Sequence, residues 1–135
     1  ELKDKFHFVS YRAHPEGTTA GPTNIVGQLG VSIVDGDFND ITLKNFDLIV
    51  FDFIFSSVIP QVFQSGVPLL FLNPGYPKLT KRARSVFCND INFMDIDFSN
   101  NTRSLRYDIR YALQNCTMEK VGLETYQNYF DFHTV

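Results

Sequence analysis

Residues 46–77 read FDLIVFDFIFSSVIPQVFQSGVPLLFLNPGYP, and the fold turns on how they pair. Residues 48–55 are apolar at every position except Asp52. A strand with so little alternation has to be covered on both faces, the situation in parallel sheets flanked by helices. Ser56 and Ser57 end the run, and either hydroxyl can cap the helix that follows. Val58, Ile59, Val62 and Phe63 share one face of that helix, and Pro60 lies in its first turn, where a missing N–H costs little. Gly66 stops the helix and residues 67–72 form the next apolar run. Strand, helix and strand in such close succession fit a compact right-handed parallel crossover.

Working outward, 135 residues are enough for one domain with a real core and too few for two, so residues 1–135 are expected to fold as a single unit. Hydrophobic residues make up 44% of the chain, with 14 Phe and no Trp, which predicts a core built on phenylalanine rings. A net charge of -3 gives no general attraction for nucleic acid or an anionic membrane, so any anion has to be held locally. Cys88 and Cys116 are too few for a disulfide framework and lack metal spacing; they read as reduced, and neither a metal nor a cofactor is expected. Asn100-Asn101-Thr102 and Asn115-Cys116-Thr117 match the glycosylation pattern but read as chance, because no secretory signal or membrane-spanning run is legible and a cytoplasmic location is expected. The chain opens at Glu1 directly into a strand pattern, as a piece of a longer protein would.

Residues 5–12 are rich in β-formers and predict the first strand, ending at Ala13-His14-Pro15-Glu16-Gly17. Residues 22–29 predict a short helix, 31–34 a brief strand, Asp35-Gly36-Asp37 a turn, and 40–45 a single helical turn. The loop Asn73-Pro74-Gly75-Tyr76-Pro77 follows the second buried strand. A basic helix over 80–87, a fifth strand over 91–95, an amphipathic helix from Asn101 capped by Ser99 or Asn100, and a terminal helix over 118–130 complete the pattern. The expected architecture is α/β: a three-layer, Rossmann-like domain with an open parallel sheet of about five strands and helices on both faces.

Open α/β sheets bind ligands beyond the carboxyl ends of their strands, at a topological switch point. Arg12 with His14, the Ser56-Ser57 pair, and the loop opening at Asn73 are all expected there. A helix start with two hydroxyls favours a phosphate, and His14, with a pKa near neutrality, can donate to its oxygens or act as an acid. Read singly, Ser57 is a helix cap, His14 a loop residue and the 78–84 basic run a solvated face. Asp52, inside an apolar strand, would need a partner, and a core hydrogen bond is as plausible for it as catalysis.

On His14-Pro15 and Ser56-Ser57, the chain resembles the C-terminal, donor-binding half of a two-domain glycosyltransferase of the GT-B fold, over most of its length from Phe6 to about Phe130. It is most similar to bacterial enzymes that build surface carbohydrate, sialyltransferases among them, in which such pairs contact nucleotide phosphates. The run from Ser56 to Pro68 is similar to a second pattern of these transferases, a Ser/Thr cluster followed by a Glu, an apolar helix and a closing Pro. The sequence departs from it at Gln61, where the resemblance would place a Glu that holds ribose hydroxyls; an amide can still bond a hydroxyl, without the charge.

The resemblance implies transfer of a sugar, or a related polyol phosphate, from a nucleotide-activated donor to a glycan acceptor, with His14 catalytic and Arg12, Ser56, Ser57, Gln61 and Asn73 binding the donor. The acceptor base would lie in an N-terminal α/β domain, so the isolated chain is expected to bind a nucleotide weakly and turn nothing over. No nucleic-acid partner and no membrane span are expected. The alternative is a non-catalytic Rossmann-like module kept for docking or regulation, which Gln61 and the acidic turn at Asp35 and Asp37 favour mildly. A response-regulator-like receiver is a weaker third, since no acidic cluster follows the first strand.

Overall fold

The computed structural model describes residues 9–12, 32–34, 36–52, 58–76 and 78–119. The chain divides into two compact units, residues 1–41 and 42–135. In the first, β1 (Ser10–Tyr11) pairs in parallel with β2 (Ser32–Ile33), Ser10 opposite Ser32. A 3-10 turn over Phe38–Asp40 follows, capped by the Asp37 carboxylate, which accepts from the Asn39 N–H at 2.9 Å.

The second unit opens with a 3-10 turn over Leu43–Asn45. The order is then β3 (Ile49–Phe51), α1 (Ile59–Gln64), β4 (Leu69–Asn73), α2 (Lys81–Asp90), β5 (Asn92–Asp95) and α3 (Thr102–Gln114). The three strands form a parallel sheet in the order β3-β4-β5. The α/β class and the open parallel sheet therefore stand, but the described sheet has three strands where about five were expected, and β1 and β2 pair with each other. Its order also advances in one direction, so among the described residues no switch point occurs.

Right-handed crossovers that advance in one direction put successive helices on the same face of a sheet. Phe63 of α1 and Phe87 of α2 accordingly stack, with ring centroids 6.0 Å apart. Beneath them the register sets Phe51 opposite Phe71 and Phe71 opposite Phe93, a row of rings crossing all three strands. Phe71 stacks on Phe51 at 5.0 Å and meets Phe93 edge-on at 5.5 Å and Phe87 at 5.7 Å. Leu70 and Leu72 alternate to the opposite face and are buried too, so β4 is the strand covered on both sides. β3 is only half-buried, at one end of the described sheet. It ends at Phe51, which leaves Asp52 exposed and in no need of the buried partner expected for it.

Local boundaries follow capping chemistry. The cap position of α1 is held by Val58, which has no side-chain acceptor, with Pro60 in the first turn; Ser56 and Ser57, the expected caps, lie outside the described residues. Gly66 ends this helix at φ +70, as a residue free of Cβ strain can. Thr80 caps α2, its hydroxyl accepting from the Ala83 N–H at 3.1 Å. α3 is capped by Asn101 rather than Ser99 or Asn100: its amide oxygen accepts from the Ser104 N–H at 3.0 Å, while Ser99 is engaged by Asp97. At the amino end of the sheet the Asn92 amide donates to Leu69 O and Thr117 O, each at 2.9 Å, and accepts from the Thr117 N–H at 2.7 Å, tying the chain after α3 to β4 and β5.

Phe71 is 2% exposed and touches rings on both neighbouring strands and on α2. Phe71→Ala is expected to cost about 3–5 kcal/mol, read as a lower urea midpoint at unchanged slope. Phe93→Ala, at a half-buried position, is expected to cost clearly less.

Candidate functional site at the carboxyl edge of the sheet

β4 and β5 each place a polar residue two positions after a phenylalanine of the row of rings: Phe71-Leu72-Asn73 and Phe93-Met94-Asp95. Because the strands are parallel and in register, Asn73 and Asp95 end up opposite each other at the carboxyl edge. Asn73 is buried, 5% exposed, and both ends of its amide are used. Its Nδ2 donates to Asp95 Oδ1 at 2.7 Å, and its Oδ1 accepts from the Gly75 N–H at 3.2 Å. The second bond shapes the loop after β4, where Gly75 sits at φ +81, a left-handed conformation that disfavours a side chain. Tyr76 follows it fully into solvent, 82% exposed.

From α2, Arg84 Nη1 donates to Asp95 Oδ1 at 2.9 Å, and Nη2 pairs with Oδ2, so the guanidinium grips the carboxylate with two nitrogens. The same guanidinium lies over the Phe93 ring, 5.1 Å from its centroid. Pairing and stacking fix its plane, and since an arginine has more N–H groups than one carboxylate uses, donors remain for a guest oxygen. Hydrogen bonding from Arg84, opposed by partial burial and helped by Asn73, holds the Asp95 carboxyl below its ordinary pKa. The bond to Asp95 in turn pushes the Arg84 guanidinium further up. Asp97 lies low as well, because the Ser99 hydroxyl and then its N–H donate to it.

Of the residues expected to form a site, Asn73 is at the carboxyl edge as foreseen, but as a positioning residue with its own amide spent. Gln61 is exposed in the first turn of α1. Arg12 belongs to the first unit, half-buried, with its guanidinium over the Phe38 ring at 5.5 Å. His14, Ser56 and Ser57 lie outside the described residues. Arg84 and Asp95 were missed. In the sequence Arg84 is one cation of a basic run; the repeated spacing Phe-x-Asn and Phe-x-Asp is the signal that points to its partner.

A cavity of about 310 Å³ opens at the other, amino end of the strands, lined by Cys88, Asp90 and Glu119 around the Asn92–Thr117 bonds. Asn92 is satisfied there by backbone groups and serves the fold, so the carboxyl edge is the better candidate. Among the described residues no group of three or more His, Cys, Asp or Glu side chains is placed to hold a metal ion, and no helix is long and apolar enough to cross a membrane.

The fold and this network define an α/β domain with a preset polar edge. Comparison with protein families, with curated proteins and with solved structures finds no match for the chain.

The lowered Asp95 pKa makes a signed prediction. Its stabilisation is fully present above the unfolded carboxyl pKa and is lost as pH falls through the folded one. Asp95→Asn is therefore expected to lower the urea midpoint at neutral pH, with the gap to the parent closing below the ordinary carboxylate range. Asn73→Ala, which removes a buried amide bonded to both Asp95 and the Gly75 N–H, is expected to cost about 1–3 kcal/mol at neutral pH.

Proposed function

We propose that the protein is the nucleotide-sugar donor-binding domain of a glycosyltransferase that builds bacterial surface polysaccharide, with the donor held at the carboxyl edge of β4 and β5. The observation that carries this proposal is the Arg84–Asp95–Asn73 network. It fixes a guanidinium with spare N–H groups beyond the carboxyl ends of two parallel strands, where open α/β sheets take their ligands. Because Asp95 offsets the Arg84 charge, this network suits sugar hydroxyls and phosphate oxygens through hydrogen bonds more than through charge attraction. Exposed Tyr76 offers a flat face to a base or a sugar ring beside it.

In this proposal the full domain is Rossmann-like and three-layered with about five parallel strands, and works in a cytoplasm. Its His14 and Arg12 stabilise charge on the leaving phosphate, Ser56 and Ser57 bind the phosphates, and Gln61 binds a ribose hydroxyl. The glycan acceptor and its base belong to a preceding α/β domain.

The second reading, a non-catalytic docking or regulatory module, is favoured by a specific observation: both ends of the Asn73 amide are satisfied within the chain, so the edge is stable with no guest.

Titration of the chain with CMP, CDP, UDP and GDP separates the two. Saturable binding of at least one, weakened by His14→Ala and by Tyr76→Ala, is expected for the donor domain, with no turnover by the chain alone. Absence of saturable binding to all four would leave the docking module, and robust sugar transfer by these 135 residues would overturn the assignment of the acceptor base to another domain.

A further inference from the structure

The pairing of Arg84 with Asp95 leaves particular hydrogen-bonding positions open, and they narrow what the edge can hold. Each carboxylate oxygen can accept two hydrogen bonds. Asp95 Oδ1 is filled, by Asn73 Nδ2 and Arg84 Nη1, while among the described residues Oδ2 accepts from Arg84 Nη2 alone. A guanidinium has five N–H groups, and Asp95 takes one from each Nη nitrogen. The open acceptor position on Oδ2 therefore lies beside the second N–H of Nη2, the nitrogen bonded to it. Both side chains reach solvent, Arg84 at 47% and Asp95 at 54% exposure, so a ligand has access to these positions.

An acceptor set next to a donor selects its complement. An ionised phosphate oxygen has no proton to give, so it can meet the N–H but turns its own lone pairs toward Oδ2. A hydroxyl can donate to Oδ2 and accept from Nη2, and two hydroxyls on neighbouring ring carbons can divide the two bonds between them. The pair is neutral as a whole, which removes the attraction a lone guanidinium has for an anion. An exposed ion pair adds only about 0–1 kcal/mol to a fold, yet this one is aimed by the buried amide of Asn73, at the end of an otherwise apolar strand. The same amide holds the Gly75 N–H, and with it the loop that carries Tyr76. Tyr76 is three residues past Asn73, at most about 11 Å away along the chain, and its exposed ring can receive the apolar C–H face of a sugar.

We propose that the Arg84–Asp95 pair binds a vicinal diol carried on a ring, with that ring lying on Tyr76. The proposal rests on the donor-site reading of this edge and narrows it: the pair takes hydroxyls, and the phosphates are held elsewhere. One hydroxyl donates to Asp95 Oδ2 and its neighbour accepts from Arg84 Nη2, while Asn73 keeps the carboxylate turned toward them. A nucleotide-activated sugar offers such a diol on its ribose and another on the sugar to be transferred. The two share one chemistry, and the ligands below tell them apart.

The test uses the whole chain and two sets of ligands. CMP, CDP, UDP and GDP are each compared with the 2′,3′-dideoxy form, which reports on the ribose. The methyl glycosides of glucose, galactose and mannose are each compared with the fully O-methylated form, which reports on the transferred sugar. In at least one set the parent ligand is expected to bind saturably and to shift the Gly75 amide resonance, and loss of its hydroxyls to weaken it about tenfold or more. Asp95→Asn and Arg84→Lys are expected to shrink that difference to less than about threefold. Tyr76→Ala, at a position 82% exposed, is expected to weaken the parent ligand severalfold at an unchanged melting midpoint, and Tyr76→Phe to retain it, so lost binding cannot be blamed on unfolding. Nucleotide binding that is indifferent to the ribose hydroxyls, with no glycoside bound, overturns the diol and leaves the donor reading standing. Binding of neither set overturns both. A Gly75 shift caused by inorganic phosphate and by neither set returns the edge to phosphate and overturns the proposal as well.

Discussion

The constraint on which the second unit depends is the row of Phe51, Phe71 and Phe93 across three parallel strands. Each aromatic contact adds about 0.5–1.5 kcal/mol beyond the burial of its area. The larger effect is on register. A slip of one residue between β4 and β5 would turn Phe71 or Phe93 to the wrong face, and with it every neighbour on that strand. Because the rings hold the register, they also decide which residues meet two positions further on. Asn73 and Asp95 are neighbours because Phe71 and Phe93 are. Phe63 and Phe87 then seat α1 and α2 on the same face, which brings Arg84 over Phe93 and onto Asp95. Core and candidate site are thus two levels of one ladder.

What could be read from the sequence was whatever depends on neighbours in the chain. The apolar run before Asn73 is the fully buried strand, Gly66 ends a helix at positive φ, and the periodicity of Leu105, Ile109, Ala112 and Leu113 gives α3 its inner side. The apolar run from residue 48 misled, because the same composition fits a strand covered on both faces and the half-buried strand at one end of the described sheet. Among Ser99, Asn100 and Asn101, all capable caps, the choice fell to Asn101 because Asp97 takes both donors of Ser99.

The candidate site was harder because it joins residues distant in the chain. Asn73 could be placed at a strand end, but not given its role, since its partners Asp95 and Gly75 depend on register and on a left-handed turn. Arg84 looked like one of several surface cations. Only the pairing of β4 with β5 shows that one of them has a fixed counter-ion and a ring beneath it.

The two longer helices share a charge pattern that bears on the sheet's edge. α2 begins at Lys81, Arg82 and Arg84 and ends at Asp90; α3 begins with Arg103 and Arg106. Both put cations where the helix dipole is already positive, at a cost only partly offset by the Thr80 and Asn101 caps and, in α2, by Asp95. In a parallel sheet the helix that follows a strand starts near that strand's carboxyl end. Cations concentrated in those first turns therefore collect on one edge of a sheet whose chain is acidic as a whole. An acidic chain that is to hold an anion needs a local reversal of sign, and the starts of α2 and α3 supply one beside the Arg84 network.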